Sequence, residues 1–139
     1  MTSRKLIYIK NRIAEINIIH DVLNQLKDEW GLDTTVSADI VVALDELLAN
    51  AIYHAFKRDE HEEIKIEFIR EDNIIRICIE HGGILFDPTR REVKKAASTL
   101  DDIEIGGLGI LLVKELMDVF EYRVTPEQKN FITLIKHLR

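Results

Sequence analysis

The stretch Ala43–Phe56, ALDELLANAIYHAF, decides how this chain folds, because it sets an ordered line of polar groups into an otherwise apolar helix. At about 100° per residue, Asp39, Glu46, Asn50 and Tyr53 fall within roughly 60° of one another. Ile40, Leu44, Leu47, Leu48, Ala51 and Ala55 take the opposite face. One side is built for packing, and the other carries a carboxylate and a carboxamide one turn apart. An isolated Glu/Asn pair at this spacing is ordinarily a solvated face. Its weight comes from the segments on either side.

Upstream, Lys5 to Lys10 alternates Leu6 and Tyr8 against Ile7 and Ile9, which predicts a short strand. From Ile13 to Trp30 the apolar positions Ile16, Ile19, Val22, Leu23 and Leu26 recur at three- and four-residue steps, and Gly31 stands where a left-handed cap is expected. Asp33, Thr34 and Thr35 are candidate N-caps for the central helix, which runs from Val36 to Phe56. Downstream, Glu63–Arg70 and Ile74–Glu80 alternate cleanly and are joined through Glu71-Asp72-Asn73, an antiparallel hairpin with one face on the core. HGGILFDPT then breaks the pattern. Residues 87–105 read as a long, partly mobile loop with a short helix around Glu92–Ala97.

A second glycine cluster, IGGLGILLVKELMDVF, places Gly106, Gly107 and Gly109 ahead of an amphipathic helix. Glycines admit close backbone approach to an anion, and a helix start offers unpaired N–H groups and the positive end of a dipole. Alone, such a cluster is more often a tight turn. Val119–Val124 and Asn130–Leu138 close the chain as a strand pair. The order β, α, α, β, β, loop, α, β, β predicts one domain over residues 1–139, an α+β two-layer sandwich with helices on one face of a mixed, mostly antiparallel sheet.

Composition narrows the function classes. With 139 residues and 46% hydrophobic content the chain can bury one sizeable core. A net charge of −6 argues against direct nucleic-acid binding. The longest apolar run, Ile105 to Val113, falls far short of the roughly 20 residues that span a bilayer. No membrane association and a cytoplasmic location are the expectations. Cys78 is the only cysteine, which excludes an internal disulfide, and its alternating context reads as core. Trp30, Phe120 and Phe131 read as core or core-edge aromatics, and no His/Cys spacing suggests zinc. The basic cluster Arg90, Arg91, Lys94 and Lys95 is a solvated segment or a contact for nucleotide phosphates or an acidic partner.

Three motifs in this order, joined by the chain's final strand, resemble the ATP-binding domain (the Bergerat, or GHKL, fold) of gyrase, a heat-shock chaperone, histidine kinases and mismatch-repair ATPases. The resemblance is strongest to the small anti-sigma-factor serine kinases of bacteria. ELLANA, Glu46–Ala51, resembles their N-box; FDP, Phe86–Pro88, resembles the end of their first glycine motif; GGLGILLV, Gly106–Val113, resembles the second; NFITLIKHL resembles their final strand. The resemblance implies ATP and magnesium as cofactors. Asn50 would hold the magnesium on the ATP phosphates, and Glu46 would be the general base or orienting group for a serine hydroxyl. Gly106, Gly107, Leu108 and Gly109 would lie against phosphate, Gly83 would admit the adenine, Thr133 would line its pocket, and residues 87–105 would be the ATP lid. These groups suffice for phosphoryl transfer, which depends on positioning and charge neutralisation.

One position departs from the family. An aspartate two residues before the first-motif glycine accepts a hydrogen bond from the adenine amino group; here that position is His81. A neutral imidazole nitrogen can accept the same bond, but losing a bond to a charged acceptor costs on the order of 1.5–3 kcal/mol. His54, about 80° round the helix from Glu46, reads as a partly buried, hydrogen-bonded histidine. The resemblance implies an ATP-dependent serine/threonine kinase that phosphorylates a small antagonist protein and sequesters a sigma factor, as a homodimer. At 139 residues there is no room for the phosphoacceptor hairpin of a histidine kinase or the transducer domain of a gyrase. The competing reading is a non-catalytic partner-switching module whose ATP binding is weakened or lost through His81.

Overall fold

The computed structural model describes residues 2–55, 62–90 and 107–138. The strands are β1 (Thr2–Lys10), β2 (Glu63–Glu71), β3 (Ile74–His81), β4 (Val119–Val124) and β5 (Asn130–His137); the helices are α1 (Ile16–Glu29), α2 (Thr34–His54) and α3 (Gly107–Leu116). One five-stranded sheet has the order β1-β2-β3-β5-β4. Every pairing among these strands is antiparallel, so the sheet is the limiting case of the mostly antiparallel one expected, with no parallel pair. The helices cover one face, giving the two-layer α+β sandwich.

Local chemistry fixes the joints. α1 ends in a Schellman arrangement: Gly31 takes φ 60, and the Leu32 N–H reaches the Lys27 carbonyl at 3.0 Å. Leu32 is buried beyond it, which anchors the turn. Asp33 then caps α2 by accepting from the Thr35 N–H at 3.1 Å. The β2–β3 connection is tighter than three residues. Glu71 pairs with Ile74, leaving only Asp72 and Asn73 in the turn, with Asp72 at φ 43.

The core forms where the period-2 faces of the strands meet the helical stripes. Ile64, Ile66 and Phe68 of β2, Ile75, Ile77 and Ile79 of β3, and Ile132 and Leu134 of β5 are buried against Leu23, Ile40, Leu44, Leu47 and Leu48. Among the described residues no helix covers the other sheet face. Leu6 and Tyr8 are exposed there, and Cys78 lies on it half-buried beside Glu67 and Thr133, so Cys78 is not a core residue. Burial, and next the Glu67 charge, push its thiol pKa up. Phe131 also belongs to this face, with the Arg123 guanidinium 4.2 Å from its ring centre. Trp30 and Phe120 pack against the core as expected.

Gly106, Phe56, the Glu92–Ala97 helix, the basic residues Arg91, Lys94 and Lys95, and most of the 87–105 lid lie outside the described residues. Residues 87–90, where the expected lid begins, are described and are held in place. Asp87 accepts from the Thr89 N–H at 2.9 Å and pairs with Arg90 at 3.3 Å, and Pro88 is buried where a 3-10 turn, Pro88–Arg90, meets β4.

Candidate active site

α2 divides its polar line among three surroundings. Asp39, toward the N-terminal end, pairs with Lys136 of β5 at 3.0 Å, and the same ammonium donates to the Leu116 carbonyl at the end of α3. Tyr53, at the other end, is 65% exposed. Between them, Glu46 is half-buried and Asn50 is buried at 4% exposure. The middle of the helix is the part turned toward α3.

What brings α2 and α3 together there is a missing side chain. Gly109 lies in the first turn of α3 and is bare toward α2: a Cβ added to it would sit 2.5 Å from Glu46 Cδ and overlap the carboxylate itself. The sequence expectation of glycines ahead of the helix is thereby sharpened. Gly107 opens α3, and Leu108 and Gly109 belong to its first turn. The N–H groups of this turn have no partner within the helix, and the turn carries the positive end of a helix ten residues long. Asn50 stands one turn beyond Glu46 on the facing helix.

The second wall is the end of β3. His81 is 2% exposed, paired with Ile64 of β2 and Asn130 of β5. Its Nδ1 lies 2.9 Å from the Gly82 carbonyl oxygen. Burial pushes its pKa below the ordinary histidine value, and the bond to Gly82 opposes that shift more weakly. Burial thus favours the neutral form of the imidazole.

Gly83 has a structural task. Its φ of +84 is left-handed, and a Cβ there would lie 2.8 Å from the Ala55 carbonyl carbon. The close approach lets the Ile84 N–H reach the Ala55 oxygen at 2.8 Å, satisfying a carbonyl at the end of α2. His54 meets the Phe86 ring edge-on, centroids 6.2 Å apart, so both ends of this joint are packed.

Thr133 is not at the site. It pairs with Cys78 and Glu121 on the face without helices, because the parity of β5 directs Asn130, Ile132 and Leu134 inward and Phe131, Thr133 and Ile135 outward. The residue β5 does bring to the site is Asn130, which sequence reasoning passed over. It is 0% exposed. Its Oδ1 accepts from the Phe86 N–H at 3.1 Å and the Tyr122 hydroxyl at 2.6 Å; its Nδ2 donates to the carbonyls of Ile84 at 3.1 Å and Gly82 at 3.4 Å. Burial, and then the Asp87 charge, raise the Tyr122 pKa, so this hydroxyl stays protonated and donates. An asparagine just after a turn was the only signal available.

The donor set suits a magnesium-bound triphosphate: a buried carboxamide at Asn50, a carboxylate at Glu46, and a helix start cleared of side chain at Gly109. A cavity of about 480 Å³ beside Gly31, Val36 and Arg70 lies at the far end of the sheet and holds none of these groups. Among the described residues no helix is long and apolar enough to cross a membrane, and no group of three or more metal-ligating side chains occurs.

Known proteins resemble this chain in sequence and in fold. The chain is 29% identical over 127 residues to the serine-protein kinase RsbW of Bacillus subtilis, with 88% of this chain and 78% of that protein covered. It is 30% identical over 100 residues to RsbW of Listeria monocytogenes, covering 69% of this chain but only 64% of the relative. With the serine/threonine-protein kinase BtrW of Bordetella bronchiseptica it shares 27% identity over 112 residues, 81% of this chain and 77% of that one. In fold it is similar to the RsbU and RsbW domains of Rv1364c from Mycobacterium tuberculosis, with a TM-score of 0.66 at 17% identity over 98% of this chain and 32% of that one. Residues 9–136 match the model of the histidine kinase-like ATPase domain. It is to this family that the chain belongs.

Proposed function

We propose that this chain is an ATP-dependent protein serine/threonine kinase of the anti-sigma-factor type, acting on a small antagonist protein and sequestering a sigma factor. One observation carries the reading: the Glu46 carboxylate lies against the first turn of α3, with Asn50 one turn away. ATP with magnesium would supply the phosphoryl group and the counter-charge. Asn50 would hold the metal through its side-chain oxygen, and the first-turn N–H groups of α3, Gly107 to Gly109, would bind phosphate oxygens. Glu46 would orient the serine hydroxyl and take its proton as the oxygen bonds to the γ-phosphorus and the bond from that phosphorus to the β–γ bridging oxygen breaks, leaving ADP. Relatives named as serine-protein kinases support this chemistry. A homodimer in the cytoplasm is the setting that the resemblance implies.

Calorimetry with magnesium and ATP, paired with label transfer from γ-labelled ATP to the antagonist protein, tests the reading. Glu46→Gln is expected to keep nucleotide affinity and abolish transfer, while Asn50→Ala loses affinity. An affinity loss in Glu46→Gln as large as that in Asn50→Ala contradicts the base assignment. No ATP binding by the unmodified chain at millimolar nucleotide favours the non-catalytic module.

A further inference from the structure

The inward parity of β5 runs Asn130, Ile132, Leu134 and then Lys136, so an ammonium follows two buried aliphatic side chains on the face that the helices cover. The Lys136 side chain is 17% exposed, and a charge so far from water needs partners. They come from two helices. Asp39 of α2 accepts at 3.0 Å, and the Leu116 carbonyl, at the C-terminal and negative end of α3, accepts from the same nitrogen. The neighbours of Lys136 fasten the same end: the Asp118 N–H donates to the Ile135 carbonyl at 2.9 Å, and the His137 N–H donates to Asp118 Oδ2 at 2.7 Å. Asp39 precedes Glu46 by seven residues, and Leu116 follows Gly109 by seven (46 − 39 = 7, 116 − 109 = 7). Two helices that meet at both pairs run antiparallel and stay in step over two turns, about 10 Å.

We propose that Lys136 is a positioning residue: by tying Asp39 to the end of α3 it sets the axial register of α3 on α2, and through that register the approach of the Glu46 carboxylate to the first turn of α3. Its part in transfer rests on the kinase reading above; its part in register does not. The two ends of the helix pair differ in what can hold them. At the Glu46 end Gly109 offers no Cβ to interlock with α2 against sliding. Further along, α3 meets the core through aliphatic side chains, Ile110 and Val113, whose burial is non-directional. Among the described residues the charge-assisted contact that joins the two helices lies at the Lys136 end. Without the ammonium, Asp39 and the Leu116 carbonyl lose their shared donor, and α3 settles by packing alone.

Disulfide cross-linking in the full chain reads the register without any nucleotide. A Cβ at position 109 would lie 3.1 Å from Glu46 Cγ, the place a cysteine sulfur takes in the same rotamer, and in a disulfide the Cβ of one cysteine lies about 3 Å from the sulfur of the other. Glu46→Cys with Gly109→Cys, in a Cys78→Ser background, is expected to close under mild oxidant. Adding Lys136→Met should slow closure about fivefold or more. Asp39→Ala, which leaves Lys136 on the Leu116 carbonyl, should slow it in the same direction and decides the matter if Lys136→Met does not fold. Arg76→Ala, which removes an ion pair with Glu71 on the opposite sheet face, should leave the rate unchanged. With ATP, magnesium and the antagonist protein, Lys136→Met in the otherwise unmodified chain should lower kcat about tenfold and change KM for ATP less than about threefold, because α3 moves with the phosphates while Glu46 stays on α2. No closure in the parent pair, closure unslowed by both clamp variants, or equal slowing by Arg76→Ala overturns the register role. Slowed closure with kcat unchanged overturns the link to Glu46. Slowed closure in a chain whose unmodified form transfers no phosphate overturns the kinase reading and leaves the register standing.

Discussion

Gly83 and Gly109 each belong to a glycine motif of the family resemblance, yet the structure needs them for different reasons. Gly83 is fixed by backbone: its φ is left-handed, and the group it makes room for is the Ala55 carbonyl at the end of α2. Gly109 is fixed by a side chain, the half-buried carboxylate of Glu46. A main chain cannot step aside, whereas the end of a glutamate can. The first glycine therefore belongs to folding and the second, on the proposed function, to chemistry, although the sequence writes both as part of a glycine motif.

The sharpest way to break this contrast is Gly83→Ala. Left-handed strain and overlap with backbone add, and a loss of about 3 kcal/mol is expected from urea denaturation; a loss below about 1 kcal/mol would show that the Ala55 joint relaxes freely. Asn130→Ala comes next. It leaves the Phe86 N–H and the Ile84 carbonyl without their side-chain partner, which should cost about 2 kcal/mol in the same measurement. Gly109→Ala should move stability by less than about 1 kcal/mol, because gained helix propensity offsets the displaced carboxylate. Phosphate transfer should nonetheless fall roughly 100-fold through misplacement of Glu46. Unchanged transfer would erase the difference between the two glycines.

The smallest effect concerns pH. His81 has a folded pKa below its ordinary value of 6.5, so between 6.5 and that lower value the unfolded chain holds a proton that the folded chain does not. Stability from this residue is complete above 6.5 and is lost as pH falls through the window. Melting temperatures of the wild type and His81→Asn, compared from pH 7.5 to pH 5, should diverge with the wild type losing more. Parallel curves would mean that His81 protonates without cost in the fold.

The elements were legible because each carries one clear period. β2 and β3 alternate, α1 repeats at three and four, and Gly31 and Asp33 punctuate the joint between α1 and α2. The pairing of Glu46 with a glycine-opened helix was also legible, since both lie in short motifs. The face of Thr133 was not. In NFITLIKH both parities of the strand carry apolar groups, Phe131 and Ile135 on one, Ile132 and Leu134 on the other, so only register against β3 decides which side turns inward. Phe131, expected at the core or its edge, faces outward for the same reason, whereas Cys78 was misread although it shares a parity with Arg76 and Glu80, opposite Ile75, Ile77 and Ile79. Asn130 was invisible because its four partners come from the loop after β3 and from β4, and no local spacing encodes bonds made across 46 residues. Asp39 looked like part of the site line until Lys136, 97 positions away in sequence, claimed it (136 − 39 = 97).

The contact between Gly109 and Glu46 also has a meaning on an evolutionary timescale. Because the space beside α3 holds either a Cβ at position 109 or a full-length carboxylate at position 46, substitutions at the two positions should be coupled across descendants of this chain. A lineage that acquires a side chain at 109 is expected to shorten or redirect residue 46, and one that gives up the carboxylate releases the glycine. On the proposed function the pair should behave as a single inherited character, and its joint loss should mark lineages in which transfer chemistry has been abandoned while the fold persists.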